Sequence, residues 1–261
     1  MISLDPGVIR EITLKGKRID HRKFDEYRKV VVESGVVPMA EGSARVRLGD
    51  TEVVAGVKMG VGKPFADTSG EGVLIVAAEF VPLASPDFEA GPPGEAAVEV
   101  SRVVDRAIRE SKLVDFSALC IKEKEKVWMV NVDVNVMNHD GNLIDAVGIA
   151  AIAAILDARL PELDENDEVV IGTKTEKKIP ISGIPVSTTI VKIGNALMVD
   201  PNIHETEAMD ARVTVGTFEK DGDIHLCSMQ KGGNSGITME ELEKIVDMAT
   251  EKGKEIRNLL K

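Results

Sequence analysis

Residues Asn138 to Leu160, NHDGNLIDAVGIAAIAAILDARL, constrain this chain more than any other stretch. They open on Asn, His, Asp and Gly, which is turn chemistry. They then run into an Ala- and Ile-rich segment that is apolar almost all round. A helix with no polar face has to be buried, so Asp145 to Arg159 is expected as the central helix of a core, with the other elements arranged around it. The turn in front of it presents backbone N–H groups at a helix N-terminus, where an anion such as phosphate can bind. Its own side chains argue against that use. Asp140, Asn142, Leu143, Ile144 and Asp145 include two carboxylates and two aliphatics but no cation.

The flanking sequence supplies the rest of the fold. Asp5-Pro6 caps and opens a short helix over Gly7 to Leu14. Arg28 to Val37 is Val-rich and reads as a strand. Ala44 to Leu48 and Thr51 to Lys58 flank Gly49-Asp50, a hairpin signal. Met59 to Gly72 holds four glycines and Pro64 and is expected as a long mobile loop, followed by a strand over Val73 to Leu83. Glu95 to Leu113 is an amphipathic helix: Val100, Val103, Val104, Ala107 and Ile108 share one face, and Arg102, Arg106 and Arg109 fall opposite. Strands are expected at Ala118 to Lys122 and Val127 to Met137. In the second, Val130, Val132, Val134 and Val136 alternate with Asn131, Asp133 and Asn135. Two hairpins follow, Val186–Ile193 with Ala196–Val199 and Arg212–Glu219 with Ile224–Gln230, then a Gly-rich loop over Lys231 to Gly236. Thr238 and Glu241 form a capping box that starts a last helix with Leu242, Ile245, Val246 and Ala249 inward. This order predicts an α+β chain with mixed sheets and helices packed on one side. The expected divisions are 1–27 (N-terminal helix and extension), 28–165 and 180–261.

The formal net charge of −12 means that any contact with nucleic acid must come from a local basic patch or from a partner. Two cysteines, Cys120 and Cys227, provide no disulfide framework and suit a reducing, cytoplasmic setting. No apolar run has signal-peptide or membrane-spanning length, so no membrane association is expected.

Several segments together, in order and spacing, resemble the RNase PH family. They are Lys17-Arg18-Ile19-Asp20-His21-Arg22, Glu41-Gly42-Ser43-Ala44 with Gly49-Asp50-Thr51, and Asp140-Gly141-Asn142. Phe88-Glu89-Ala90-Gly91-Pro92-Pro93 and Ser101-Arg102-Val103-Val104-Asp105-Arg106 point, within that family, to the non-catalytic RNase PH-like subunit of the archaeal exosome ring. The resemblance implies an RNase PH-like fold with a ribosomal protein S5 domain 2-like first domain. It also implies a role in 3'-to-5' RNA degradation, in which phosphate cleaves the terminal linkage and releases nucleoside diphosphates. Catalytic members carry a hydroxyl residue and an arginine after the glycine of the central turn, and the positions here fall near Leu143 and Ile144. The implied partners are a catalytic RNase PH-like subunit, three heterodimers to a hexameric ring, together with RNA-binding cap subunits and single-stranded RNA.

By the same resemblance, the helix bearing Arg102, Arg106 and Arg109 lies at the interface with the catalytic subunit, and its arginines contact RNA phosphates. Without the resemblance, those arginines read as a solvated face paired with Glu99, Asp105 and Glu110. Lys58 and Lys63 bracket the Gly-rich loop and either line an RNA path or are ordinary surface lysines. Asp210, which matches a catalytic acid of the family, keeps open the alternative of an exoribonuclease active in its own right. No metal site or cofactor is expected: Asp133, Asp140 and Asp145 read as caps and solvated groups, and the four histidines lack ligand spacing.

Overall fold

The computed structural model describes residues 4–261. Its centre is the apolar segment, which forms helix α3 over Leu143–Asp157, with thirteen of its fifteen residues buried. Two sheets make use of it. The first follows the order β1-β2-β3-β6-β4, with β5 also paired to β6, and the second follows β10-β9-β7-β8. Helix α3 packs on β1, β2, β3 and β6 of the first sheet and on β7 of the second, so a single helix supplies apolar surface to both.

The first sheet comprises β1 (Val30–Ser34), β2 (Gly42–Leu48), β3 (Thr51–Gly62), β4 (Val73–Phe80), β5 (Cys120–Lys122) and β6 (Lys126–Asn138). All its pairings are antiparallel except the parallel β4–β6 pair. The valine alternation in β6 emerges as expected: Val130, Val132, Val134 and Val136 are fully buried, while Asp133 faces out. Helix α2 (Glu95–Glu110) lies against β4 and buries Val100, Val103, Val104, Ala107 and Ile108.

The second sheet holds β7 (Val186–Ile193), β8 (Ala196–Val199), β9 (Ala211–Lys220) and β10 (Asp223–Gly233), with helix α5 (Met239–Leu260) packed on β7 and β9. The Thr238–Glu241 capping box is present in both directions. Helix α1 (Pro6–Leu14), capped by Asp5, packs on the short helix α4 (Ile203–Ala208), with Ile9 among Val191, Ile193 and Met198 of the second sheet. The N-terminal extension therefore packs on the second sheet, far along the sequence. The linker 158–185 leans instead on the first sheet's core through Ile179 and isolated bridges such as Val114–Ile181.

Three expectations need correction. The loop expected from Met59 is strand as far as Gly62, which pairs with Val127. The glycines that suggested mobility make room instead, since a Cβ at Gly62 would sit 2.3 Å from the Met129 sulfur. The remaining connector, 63–72, is tied down by the Gly72 N–H to the Phe116 carbonyl (2.8 Å) and the Lys124 N–H to the Ser69 carbonyl (2.9 Å). The loop expected at Lys231 is strand through Gly233, because β10 continues pairing with β9 as far as Ala211. Helix α4 was not anticipated, although Asn202 and Glu205 form a complete capping box that marks its start.

A buried ion pair anchors the N-terminal extension. The Arg18 guanidinium donates to Glu205 at 2.8 and 2.5 Å and to the carbonyls of Val199 (3.0 Å) and Asp200 (2.8 Å), with both side chains almost fully buried. Removing one partner of such a pair leaves the other charge buried and uncompensated. Arg18→Met is expected to destabilise the fold by about 3–5 kcal/mol, read as a fall in the denaturant midpoint. An unchanged midpoint would mean that the pair anchors nothing.

Candidate functional site

The turn before α3 is built from both halves of the chain. Gly141 has φ +88°, and a Cβ there would lie 2.4 Å from the Asn202 carbonyl carbon, so only glycine lets the turn approach the 200–203 segment. Asn142 follows with φ 51° and does not cap the helix with its side chain. Its amide donates instead to Asp145 (2.8 Å) and Asp200 (2.8 Å).

A cation does reach the turn, from a distance the sequence reading could not see. Arg28 donates to the Asp140 carbonyl (2.6 Å) and carboxylate (3.0 Å), and its Nε and Nη2 donate to Asp200 at 2.9 and 2.8 Å. Arg22 adds a further bond to Asp200 at 2.9 Å. Burial pushes the Asp200 carboxyl up, but the hydrogen bonds and charge of Arg28 outweigh it and hold the acid below its ordinary value. Arg28 is thus spent on two carboxylates. Burial and the neighbouring Arg28 charge lower the His139 pKa, which favours the neutral ring. That ring stacks on Phe88 at 5.3 Å.

In front of this turn lies a cavity of about 190 Å³ walled by Phe80, Phe88, Leu143, Ile144, Val191 and Met209. The one arginine on its lining, Arg212, is held by Glu99 at 2.6 Å. A phosphate dianion entering here would meet a mostly apolar wall, broken by Glu99, His139, Asn142, Thr189 and Thr206, and no uncommitted arginine or lysine among the described lining residues.

Asp210 does not face this cavity as a free acid. Arg10 forms a two-bond ion pair with it, and the Gly194 N–H donates to it at 2.7 Å. The Arg10 hydrogen bonds, then that of Gly194, hold the Asp210 carboxyl below its ordinary value. An acid held ionised in this way is a poor proton donor, and its geometry ties α1 to the β7–β8 turn.

The basic candidates lie elsewhere and differ from one another. Arg102 and Arg106 are exposed on α2, and among the described residues no hydrogen bond or ion pair engages either. They form a ridge between two hollows. One is a cleft of about 490 Å³ between α2 and β10, lined in part by Val98, Glu99, Ser228 and Met229. The other is a shallower hollow over Leu74, Ile75 and Val76 of β4. Arg109 is committed inside the chain: it donates to Asp105 (2.8 and 3.1 Å) and to the Leu74 carbonyl (3.2 Å), and lies 5.9 Å over the Phe116 ring. Lys63 is exposed just past the end of β3. Lys58 is paired with Glu41 at 2.7 Å.

A turn deprived of free cations, a mixed first sheet and a second four-stranded sheet sharing one central helix define the class. The chain matches the 3' exoribonuclease family, domain 1 over residues 26–161 and domain 2 over residues 183–252, and it belongs to this RNase PH family. It is 46% identical to the "Exosome complex component Rrp42" of Methanocella arvoryzae, over 97% of this chain and 94% of that one. It is 44% identical to the protein of the same name from Methanothermobacter thermautotrophicus, over 94% and 93%. Among solved structures it superposes with a TM-score of 0.90, at 42% identity over 98% of this chain and 97% of the other, on a chain described as "archaeoglobus fulgidus exosome with RNA bound to the active site".

The buried Asp145 provides a test of the turn's electrostatics. It accepts from Tyr27 (2.7 Å), Asn142 (2.8 Å), and the Thr189 N–H (3.0 Å) and hydroxyl (2.7 Å). Burial nevertheless pushes it up to about 6 from 3.8, against the pull of those donors. An acid with a raised folded pKa binds its proton more tightly when folded, so its contribution to stability falls as pH rises from about 4 to about 6 and is flat above. Isotope-edited infrared spectroscopy of this carboxyl should show a midpoint near 6, and a midpoint below 4 would contradict the burial argument.

Proposed function

We propose that this chain is a non-catalytic RNase PH-like subunit of an archaeal exosome, a 3'-to-5' RNA-degrading ring. It helps to shape the active site of a catalytic RNase PH-like partner and holds RNA on the ridge of α2. The observation that carries this reading is the placement of charge. Phosphorolysis must stabilise an incoming dianion and the charge that develops as it attacks. The turn that would hold phosphate offers Leu143 and Ile144, both buried, and an arginine already spent on Asp140 and Asp200. Among the described residues, the uncommitted guanidinium groups, Arg102 and Arg106, lie instead on the outer face of α2. Arginine there suits phosphate, because its planar fork binds two oxygens at once.

Assembly follows from the same surface. The edge strands β4 and β10 flank α2, and Ile75 of β4, Val98 of α2 itself and Met229 of β10 are exposed beside the arginines. Open edges with apolar side chains call for a covering partner. A catalytic subunit seated there forms a heterodimer, three of which close a hexameric ring with threefold symmetry. Cap subunits that bind RNA, single-stranded RNA itself, and a cytoplasmic setting complete the proposal. Lys63 is a further RNA contact at the end of β3. Arg109, already paired, has a supporting role in fixing α2 on β4.

Two experiments test this reading. The isolated chain, given single-stranded RNA and phosphate, should release no nucleoside diphosphate above background, and Asp210→Ala should leave the turnover of the assembled complex nearly unchanged. Robust release by the chain alone, or a loss on the order of a hundredfold in Asp210→Ala, the scale of a lost acid–base group, would favour the alternative of an active exoribonuclease using Asp210. In the assembled complex, Arg102→Glu with Arg106→Glu should raise KM with kcat little changed. It should also reduce the salt dependence of RNA binding by roughly one unit of slope per lost phosphate contact. RNA binding equal to the parent's at moderate salt would reduce the ridge to a solvated surface.

A further inference from the structure

Helix α2 carries acids close to the arginines proposed to hold RNA. Glu99 stands three residues before Arg102, and Asp105 lies next to Arg106 and four residues before Arg109. On a bare helix, residues three or four apart pair readily, acid first being the favourable order. Glu99 would then neutralise Arg102 within the chain, and an arginine so paired has to break that contact before it can bind a phosphate.

In the folded chain both acids have partners elsewhere, Glu99 through its Oε1. Asp105 takes Arg109. Glu99 is drawn away across the molecule: its Oε1 accepts from Arg212 Nη2 on β9 at 2.6 Å and from Gln230 Nε2 on β10 at 2.9 Å. Gly232 on β10 leaves the space this requires, since a Cβ there would meet the Arg212 guanidinium at 2.9 Å. The remaining neighbour, Glu110, follows Arg106 at i+4 in the less favourable order, and no ion pair joins the two.

We propose that Arg212, assisted by Gln230, is a positioning residue for RNA binding: it sequesters Glu99 and so leaves Arg102 available for a phosphate of the bound strand. The inference rests on the reading of Arg102 and Arg106 as RNA contacts and adds to it how one of them is kept unpaired. The second sheet thereby sets the RNA affinity of a helix that belongs to the first.

The test uses the complex assembled with the catalytic partner and reads KM and kcat for phosphorolysis of a single-stranded RNA. Arg212→Met frees Glu99 to pair with Arg102 and should raise KM about threefold, the scale of one exposed ion pair, with kcat unchanged. Adding Glu99→Gln removes the competitor and should return KM to within twofold of the parent. Adding Glu95→Gln instead makes the same change in net charge two turns from Arg102 and should not rescue. Arg212→Lys, which keeps a cation for Glu99, should behave as the parent does. Should Arg212→Met fail to assemble, Gln230→Leu removes the neutral half of the clamp and should shift KM the same way by less, again reversed by Glu99→Gln. An unchanged KM in the clamp variants, or equal rescue by Glu95→Gln, overturns the proposal. An unchanged KM in Arg102→Glu/Arg106→Glu overturns the RNA reading beneath it.

Discussion

Asp200 is the group on which the joining of the two halves depends. It is fully buried, adopts a left-handed backbone conformation at φ 47°, and accepts from Arg22, from the N–H and side chain of Arg28, and from Asn142. A carboxylate taken this far out of water survives only when its partners are complete. Arg28 brings the start of β1 to the site, Asn142 brings the start of α3, and Asp200 directly follows β8. The central helix is thereby fixed between two sheets that only its preceding turn, the helix itself and the linker 158–185 separate in sequence.

The same interaction bears on chemistry. Arg28 approaches the turn closely enough to attract an anion, but Asp140 and Asp200 already take up its charge. The cavity in front is walled mostly by aromatic and aliphatic side chains, and the arginine on its lining serves Glu99. The turn keeps its approach of an arginine to a helix N-terminus, while that arginine is turned to holding the fold together. Among the described residues, the guanidinium groups left without partners are on α2, beside open sheet edges, so the surface proposed to hold RNA is also the one proposed to meet a partner.

Local signals in the sequence were legible, and long-range ones were not. The turns at Gly49, Gly194 and Asp221-Gly222 all adopt positive φ, as the hairpin reading requires, because that preference belongs to the residues themselves. The valines of β6 and the apolar girdle of α3 were readable for the same reason. Arg28 and Asp200 were not, since a pairing across 172 positions leaves no periodicity to detect. The glycines of 60–62 misled, because close packing on Met129 and loop mobility leave the same signature in sequence. The arginine face of α2 was visible as a pattern. That two of its members are free and the third is paired depends on Asp105, Arg212 and Gln230, and only the fold shows it.

The central claim is a separation: RNA is held on α2, and the turn before α3 takes no part in its chemistry. Photo-crosslinking of a 4-thiouridine-labelled RNA to the assembled complex, with the crosslinked peptides mapped by mass spectrometry, tests this most directly. The account predicts crosslinks from this chain within the α2 segment, 95–110, and none within 138–145 or 203–212. Crosslinks concentrated at the turn, with α2 unlabelled, would contradict it.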